Sequence, residues 1–302
     1  MEKKQITIVT HNGSFHADDV FAVAALRLVL ESNHDIEVIR TRDQEIIDKA
    51  DYVVDAGLVY EPEKNCFDHH QPGKAGQREN GIPYSSFGLV WKKYGDEIAG
   101  GEEEAHIIEE LLVLPIDARD NGVEIVLQRN PVVIPYELRD VIEAFRPTMS
   151  EVGPGAYDKN FTRAVLFAKE LLSREIMIAK DRVQSNISME RAYVEAEDKR
   201  LIILDKPYRW KKFAVGKPDI LLLVMPNKND GWGVHTALAQ YASYQSRIYL
   251  PKAWAGLSGG ELEKVTRVPG SVFCHNNLFT AKAKTKEAAI ALAELALTEA
   301  GQ

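Results

Sequence analysis

Cysteine is scarce. Cys66 and Cys274 are the only two in 302 residues, far apart and outside any metal or redox spacing. That argues against a disulfide framework and predicts two reduced thiols in a reducing cytosol. No apolar run is long enough to cross a bilayer, and the apolar part of the N-terminal stretch is too short for a signal peptide. The expectation is a soluble, cytoplasmic protein without a membrane partner. Positive charge is also in deficit: 37 Lys and Arg stand against 45 Asp and Glu, a formal charge of -8. A broad non-specific grip on nucleic acid needs a basic face, but an enzyme holding phosphates through bound metal ions is still allowed. Internal repeats, low-complexity segments and a His-Glu-x-x-His protease helix are all missing.

What is there is an ordinary globular composition, 45% hydrophobic and 27% charged, with length for one large domain or two medium ones. The chain is organised around Thr10-His11-Asn12-Gly13-Ser14-Phe15-His16-Ala17-Asp18-Asp19. The β-branched run Ile6 to Val9 ahead of it reads as a strand buried on both faces, and Val20 to Leu30 behind it as a buried helix. Read alone, Asp18 and Asp19 could simply cap that helix. Two more buried-type strands follow, however, and each ends on the same kinds of residue. Asp51 to Gly57 carries Asp55, and Asn65 to Phe67 leads into Asp68-His69-His70. In a parallel α/β sheet such strand ends lie side by side, where ligands bind. Imidazole with carboxylate suits Mn, Fe or Zn.

Further along, Gln71 to Gly81 reads as a loop beside the site, and Ser85 to Tyr94 and Glu102 to Leu114 as helices. Pro115 to Gly122 supplies two further carboxylates, Asp117 and Asp120, next to a turn signal. Asp120, before Asn-Gly, is the better ligand, and Asp117 reads equally as an exposed helix end. Tyr157 to about Glu197 is one long helix without Pro or Gly, an arm between two domains. Strands are expected at Leu201 to Leu204, Ile220 to Val224 and Arg247 to Leu250, with a terminal helix over Ala281 to Leu297. The fold class is α/β: a doubly wound, mostly parallel sheet, with a smaller C-terminal α/β domain joined by the long helix. The expected domains are 1–192, binding metal, and 193–302, binding substrate.

His11, His16, Asp18, Asp55, His69 and Asp120 exceed the ligand needs of one ion. Two divalent ions about 3.5–4 Å apart, bridged by a carboxylate, are the usual device for phosphoester hydrolysis. Asp55 is best placed to bridge, Asp68 to orient His69 from behind, and His70 to contact the substrate phosphate.

Asp68-His69-His70, the strand-end motif and Asp55 resemble the DHH phosphoesterase superfamily. More narrowly, the Thr10–Asp19 stretch, Asp68-His69-His70-Gln71, Gly81 to Trp91 and Asp120-Asn121-Gly122 resemble the melanocyte-proliferating-gene exonuclease family. Leu250 to Leu257 and Pro269 to His275 carry the resemblance through the C-terminal part. It implies a two-domain phosphodiesterase with two divalent ions, Mn2+ foremost, acting on RNA or short oligonucleotides from the 3′ end. His16 stands where pyrophosphatase-like members carry Asp, which leaves open whether His11 and His16 share an ion. The resemblance also implies a C-terminal domain that closes over the metals, with His235 and His275 as substrate-binding residues. The basic, aromatic cluster Lys199 to Lys217 reads as a substrate patch or as a solvated hairpin. Alternatives are a phosphatase of pyrophosphate or a cyclic dinucleotide, and a metal-stabilised regulatory module without turnover. A homo-oligomer is left open.

Overall fold

The computed structural model describes residues 3–127, 130, 132–227, 230–241, 243 and 245–300. The chain divides into two units, residues 1–180 and 181–302, and the division falls inside one helix.

The first unit contains β1 (Lys4–Thr10), α1 (Ala17–Leu30), β2 (His34–Arg40), α2 (Gln44–Ile47), β3 (Tyr52–Val54), β4 (Tyr60–Glu61) and β5 (Cys66–Phe67). There follow α3 (Ser86–Ala99), α4 (Glu102–Ile108), a π-turn (Glu109–Val113), α5 (Leu114–Asp120), α6 (Leu138–Glu143) and the start of α7 (Ala156–Glu195). The sheet order is β2-β1-β3-β5-β4, parallel throughout except for the antiparallel edge strand β4. Alternation along β1 sends Ile6 and Ile8 into the main core, with Val54, Phe67 and α1, and sends Val9 against Ile47 of α2. Every residue from Ala17 to Leu26 is buried, the mark of a helix covered on all sides.

α5 extends the helix expected over Glu102 to Leu114. The helix begun at Glu102 runs on through Pro115 to Asp120. Proline cannot donate to the preceding turn, and the wide π-turn just before it absorbs the lost bond. Asp117 therefore lies on a packed helix face and is fully buried, not an exposed end.

The second unit contains the end of α7, β6 (Leu201–Ile203), α8 (Lys211–Val215), β7 (Leu222–Pro226) and β8 (Trp232–Thr236). It closes with α9 (Gly259–Thr266), β9 (Ser271–Cys274), β10 (Thr280–Ala283) and α10 (Lys286–Ala300). Its sheet is mixed, in the order β6-β7-β8-β10-β9, with only β6 and β7 parallel. One face packs on Ala289, Leu292, Ala293 and Ala296 of α10, the other on Met189 of α7 with Trp210 and Ala214.

Two expected elements differ. Ala281 to Ala283 is a central strand, because Ala281 and Ala283 alternate into the core while Lys282 points away. Arg247 to Leu250 forms no strand among the described residues. Arg247 instead spends its guanidinium on the carbonyls of Val215, Lys217 and Ile220. Among the described residues no helix is long and apolar enough to cross a membrane.

Candidate metal centre

The strand ends of β1, β3 and β5, the start of α1 and the end of α5 meet in one place. The loop from β1 to α1 is held by two guanidinium groups: Arg40 donates to Gly13 O (2.7 Å) and Arg146 to Phe15 O (2.6 and 2.9 Å). Gly13, at φ +82°, makes the bend that any side chain would resist. The first turn of α1 then presents Asp18 and Asp19, both buried, at its positive end.

Asp55 sits at the middle. Its carboxylate lies 3.3 Å from His11 Nε2, 3.3 Å from His69 Nε2 and 3.4 Å from His70 Nδ1, and it accepts a hydrogen bond from Ser86 Oγ (2.8 Å). Its backbone is left-handed, φ +52°, a conformation that costs free energy and is typical of functional positions. His11 Nε2 is also 3.1 Å from Asp19 Oδ2. His69 Nε2 is 3.2 Å from Asp120 and 3.7 Å from Asp18.

Three ligand groups result, each with atoms within 4.8 Å of one another: His11, His16 and Asp55; Asp55, His69 and His70; Asp18, His69 and Asp120. All six sequence-expected ligands are thus brought together, and His11 and His16 share a group. Asp68 is a correction. It accepts from the ring and amide of His70 (2.9 and 3.0 Å) and from Leu58 N (2.7 Å), and so orients His70 rather than His69. Asp68 and His70, two residues apart in an extended segment, point the same way.

The electrostatics are those of a site built for cations. Both Asp18 oxygens, Asp19 Oδ2 and His69 Nε2 are buried without an aligned hydrogen bond, although charged neighbours crowd them. Burial, together with the carboxylates of Asp55, Asp120 and Asp19, holds Asp18 well above the usual range. Asp120 is raised by burial and by Asp55, against His69. Asp55 goes the other way: burial opposes its charge, but His11 and His69 hold it far below the ordinary value. Burial would lower His11, yet Asp19 and Asp55 push it up to about 10. Five carboxylates in so small a space, two of them disfavoured as anions, are what divalent ions would relieve. The donor set therefore fits such ions.

The family model MYG1_exonuc, described as "Uncharacterised protein family (UPF0160)", matches residues 7–297. The chain belongs to this family. A MYG1 protein of Chlamydia pneumoniae is 32% identical over 305 residues, 98% of each chain. One from Dictyostelium discoideum is 30% identical over 318 residues, 95% of each chain. A human relative named MYG1 exonuclease is 28% identical over 332 residues, 97% of this chain and 86% of its own.

In this MYG1-family chain Asp19 and Ser86 also touch the centre, and both stand inside the motifs that carry the resemblance. Arg78, unmarked by any local pattern, reaches the buried Asp117 from the 71–84 loop (2.7 Å) and stacks on Tyr84. Three of the seven Lys199 to Lys217 charges are occupied locally: Lys199 on helix-end carbonyls, Arg200 on Asp198, Lys217 on Glu190.

In the second unit, His235, Thr280 and His275 form one row across β8, β10 and the end of β9. His235 Nδ1 lies 3.2 Å from Thr280 Oγ1 and its ring packs on Trp210. Burial, with Lys211 and Lys282 nearby, lowers His235 to about 4. The unfolded chain would take up that proton near the ordinary value of about 6.5. Stability should therefore be full above pH 6.5 and fall as pH drops toward 4, by about 3 kcal/mol at most from this group. An NMR titration of the His235 ring should show a neutral imidazole down to pH 5. A midpoint near 6.5 would contradict the half-buried, neutral state.

Proposed function

We propose that the protein is a metal-dependent phosphodiesterase of the DHH type, a 3′-5′ exonuclease of RNA or short oligonucleotides. The observation that carries this reading is Asp55, shared between ligand groups and surrounded by buried carboxylate and imidazole atoms that lack an aligned hydrogen bond. His11, His16 and Asp55 would hold one divalent ion, and Asp18, His69 and Asp120 with Asp55 a second. Mn2+ suits this mixture of imidazole and carboxylate. When bound, such ions neutralise phosphoryl oxygens and make water nucleophilic at neutral pH.

The chain's own residues do the rest. Ser86 fixes the carboxylate of Asp55. Asp68 fixes His70, whose 55% exposed ring lines the cavity with Nδ1 engaged, so that Nε2 is the atom to meet a phosphoryl or leaving oxygen. The cavity is about 1330 Å³, far more than pyrophosphate needs, which favours an oligonucleotide over the small-phosphatase alternative. Residues 1–192 act as the metal-binding domain and 193–302 as the substrate-binding one, with His235 and His275 as its substrate contacts. Two free cysteines suit a cytoplasmic setting.

The test is a panel assay of Mn2+-loaded protein on 5′-labelled single-stranded RNA, RNA dinucleotides, a cyclic dinucleotide and pyrophosphate. Stepwise shortening from the 3′ end is expected. His70→Ala should keep its metal content and lose about 10²-fold or more in kcat. Pyrophosphate as the best substrate would replace this reading with a small phosphatase. No turnover on any substrate would leave a regulatory module.

A further inference from the structure

The cavity that holds the His/Asp centre is also lined by Leu58, Leu111, Ile125 and Val126. All four are solvent-exposed, by 61%, 56%, 44% and 37%. Exposed apolar residues scattered singly need no explanation. Four of them in one cavity, beside a charged centre, have the composition of a ligand wall.

Leu58 is the most telling. Its backbone is left-handed, φ +56°, where a bulky side chain is disfavoured and glycine would sit without strain. Its amide donates to Asp68 Oδ2 (2.7 Å), the carboxylate that also holds His70. That bond uses only backbone, so the leucine side chain contributes nothing to it. Nor does the side chain pack into a core, being mostly exposed. What it does, it does from the cavity side.

The same lining carries Arg42, Lys74 and Arg139, side chains that suit an anion running past the centre. A ligand that meets a cation-binding centre, guanidinium groups and an aliphatic wall within one cavity combines phosphates with a flat apolar face. We propose that Leu58, Leu111, Ile125 and Val126 hold the 3′-terminal nucleobase by contact with its face, without reading its identity. This rests on the phosphodiesterase reading above. The wall has no hydrogen-bonding side-chain atoms. The carboxamides of Gln44, Gln71 and Asn121 in the lining already donate to Asp48, Lys74 O and Asp117 O. The wall itself therefore cannot give the edge recognition that discriminates strongly between bases.

The experiment uses full-length, Mn2+-loaded protein and five RNA dinucleotides: four with different 3′-terminal bases and one whose 3′ residue is abasic. The wild type should cleave the four within about threefold of one another, and the abasic one about tenfold or more slower in kcat/KM. Leu58→Gly, which relieves the backbone strain, should keep or raise Tm. It should slow the base-bearing substrates about fivefold to tenfold and the abasic one less than twofold. Leu111→Ser should behave alike without the gain in Tm. Equal wild-type rates on base-bearing and abasic substrates would overturn the subsite while leaving the phosphodiesterase reading standing. So would a Leu58→Gly loss equal on both. A wild type that cleaves none of the five would remove that reading, and the subsite with it.

Discussion

Asp55→Asn is expected to lose divalent-metal occupancy and about 10³-fold or more of kcat together. The carboxylate stands within 3.4 Å of His11, His69 and His70, and it belongs to two of the three ligand groups. An amide keeps the shape but gives up the charge that both ions would share. Asparagine is among the few residues that accept φ +52° readily, so the loop from β3 should keep its path. Metal analysis and steady-state kinetics on the same preparation check this. Full metal content with full activity would remove Asp55 from the centre.

Arg78→Ala should destabilise the first unit by about 3–5 kcal/mol, with Tm falling by roughly 10 °C. Arg78 crosses from the 71–84 loop to Asp117, whose carboxylate is fully buried and otherwise has Ser85 Oγ and Gly88 N (3.1 Å) as donors. Burial already pushes Asp117 up to about 6 against the pull of Arg78 and Ser85. Without the guanidinium, a carboxyl is left in the core with no counter-charge. Gly88 marks how tight the place is, because a Cβ there would fall 1.8 Å from Asp117 Oδ2. The double change Arg78→Met with Asp117→Leu should recover much of the loss, since it removes both charges at once. Denaturant unfolding of the three variants measures this. An Arg78→Ala protein within 1 kcal/mol of wild type would show that Asp117 is paired in another way.

The centre was legible in the sequence because its residues stand at the ends of short β-branched strands, a local signal that parallel topology converts into proximity. The long helix was legible for a similar reason, as an unbroken stretch without Pro or Gly. Other features depend on partners distant in sequence. Nothing near Arg78 announces Asp117, and no period marks the π-turn that carries a helix through Pro115. β10 was hidden because Ala281-Lys282-Ala283 runs straight into the Ala-rich helix α10, and only its pairing with β8 and β9 makes it a strand. Asp68 serves His70 and not its neighbour His69, because adjacency in sequence is not adjacency in an extended segment.

The count of divalent ions per chain tests the central claim most directly. Protein stripped with chelator, reloaded with Mn2+ and freed of excess should be analysed by native mass spectrometry alongside its activity. The expected result is two ions per chain in the active protein, with activity rising as the second ion binds. One ion per chain at full activity would contradict a centre in which Asp55 serves two.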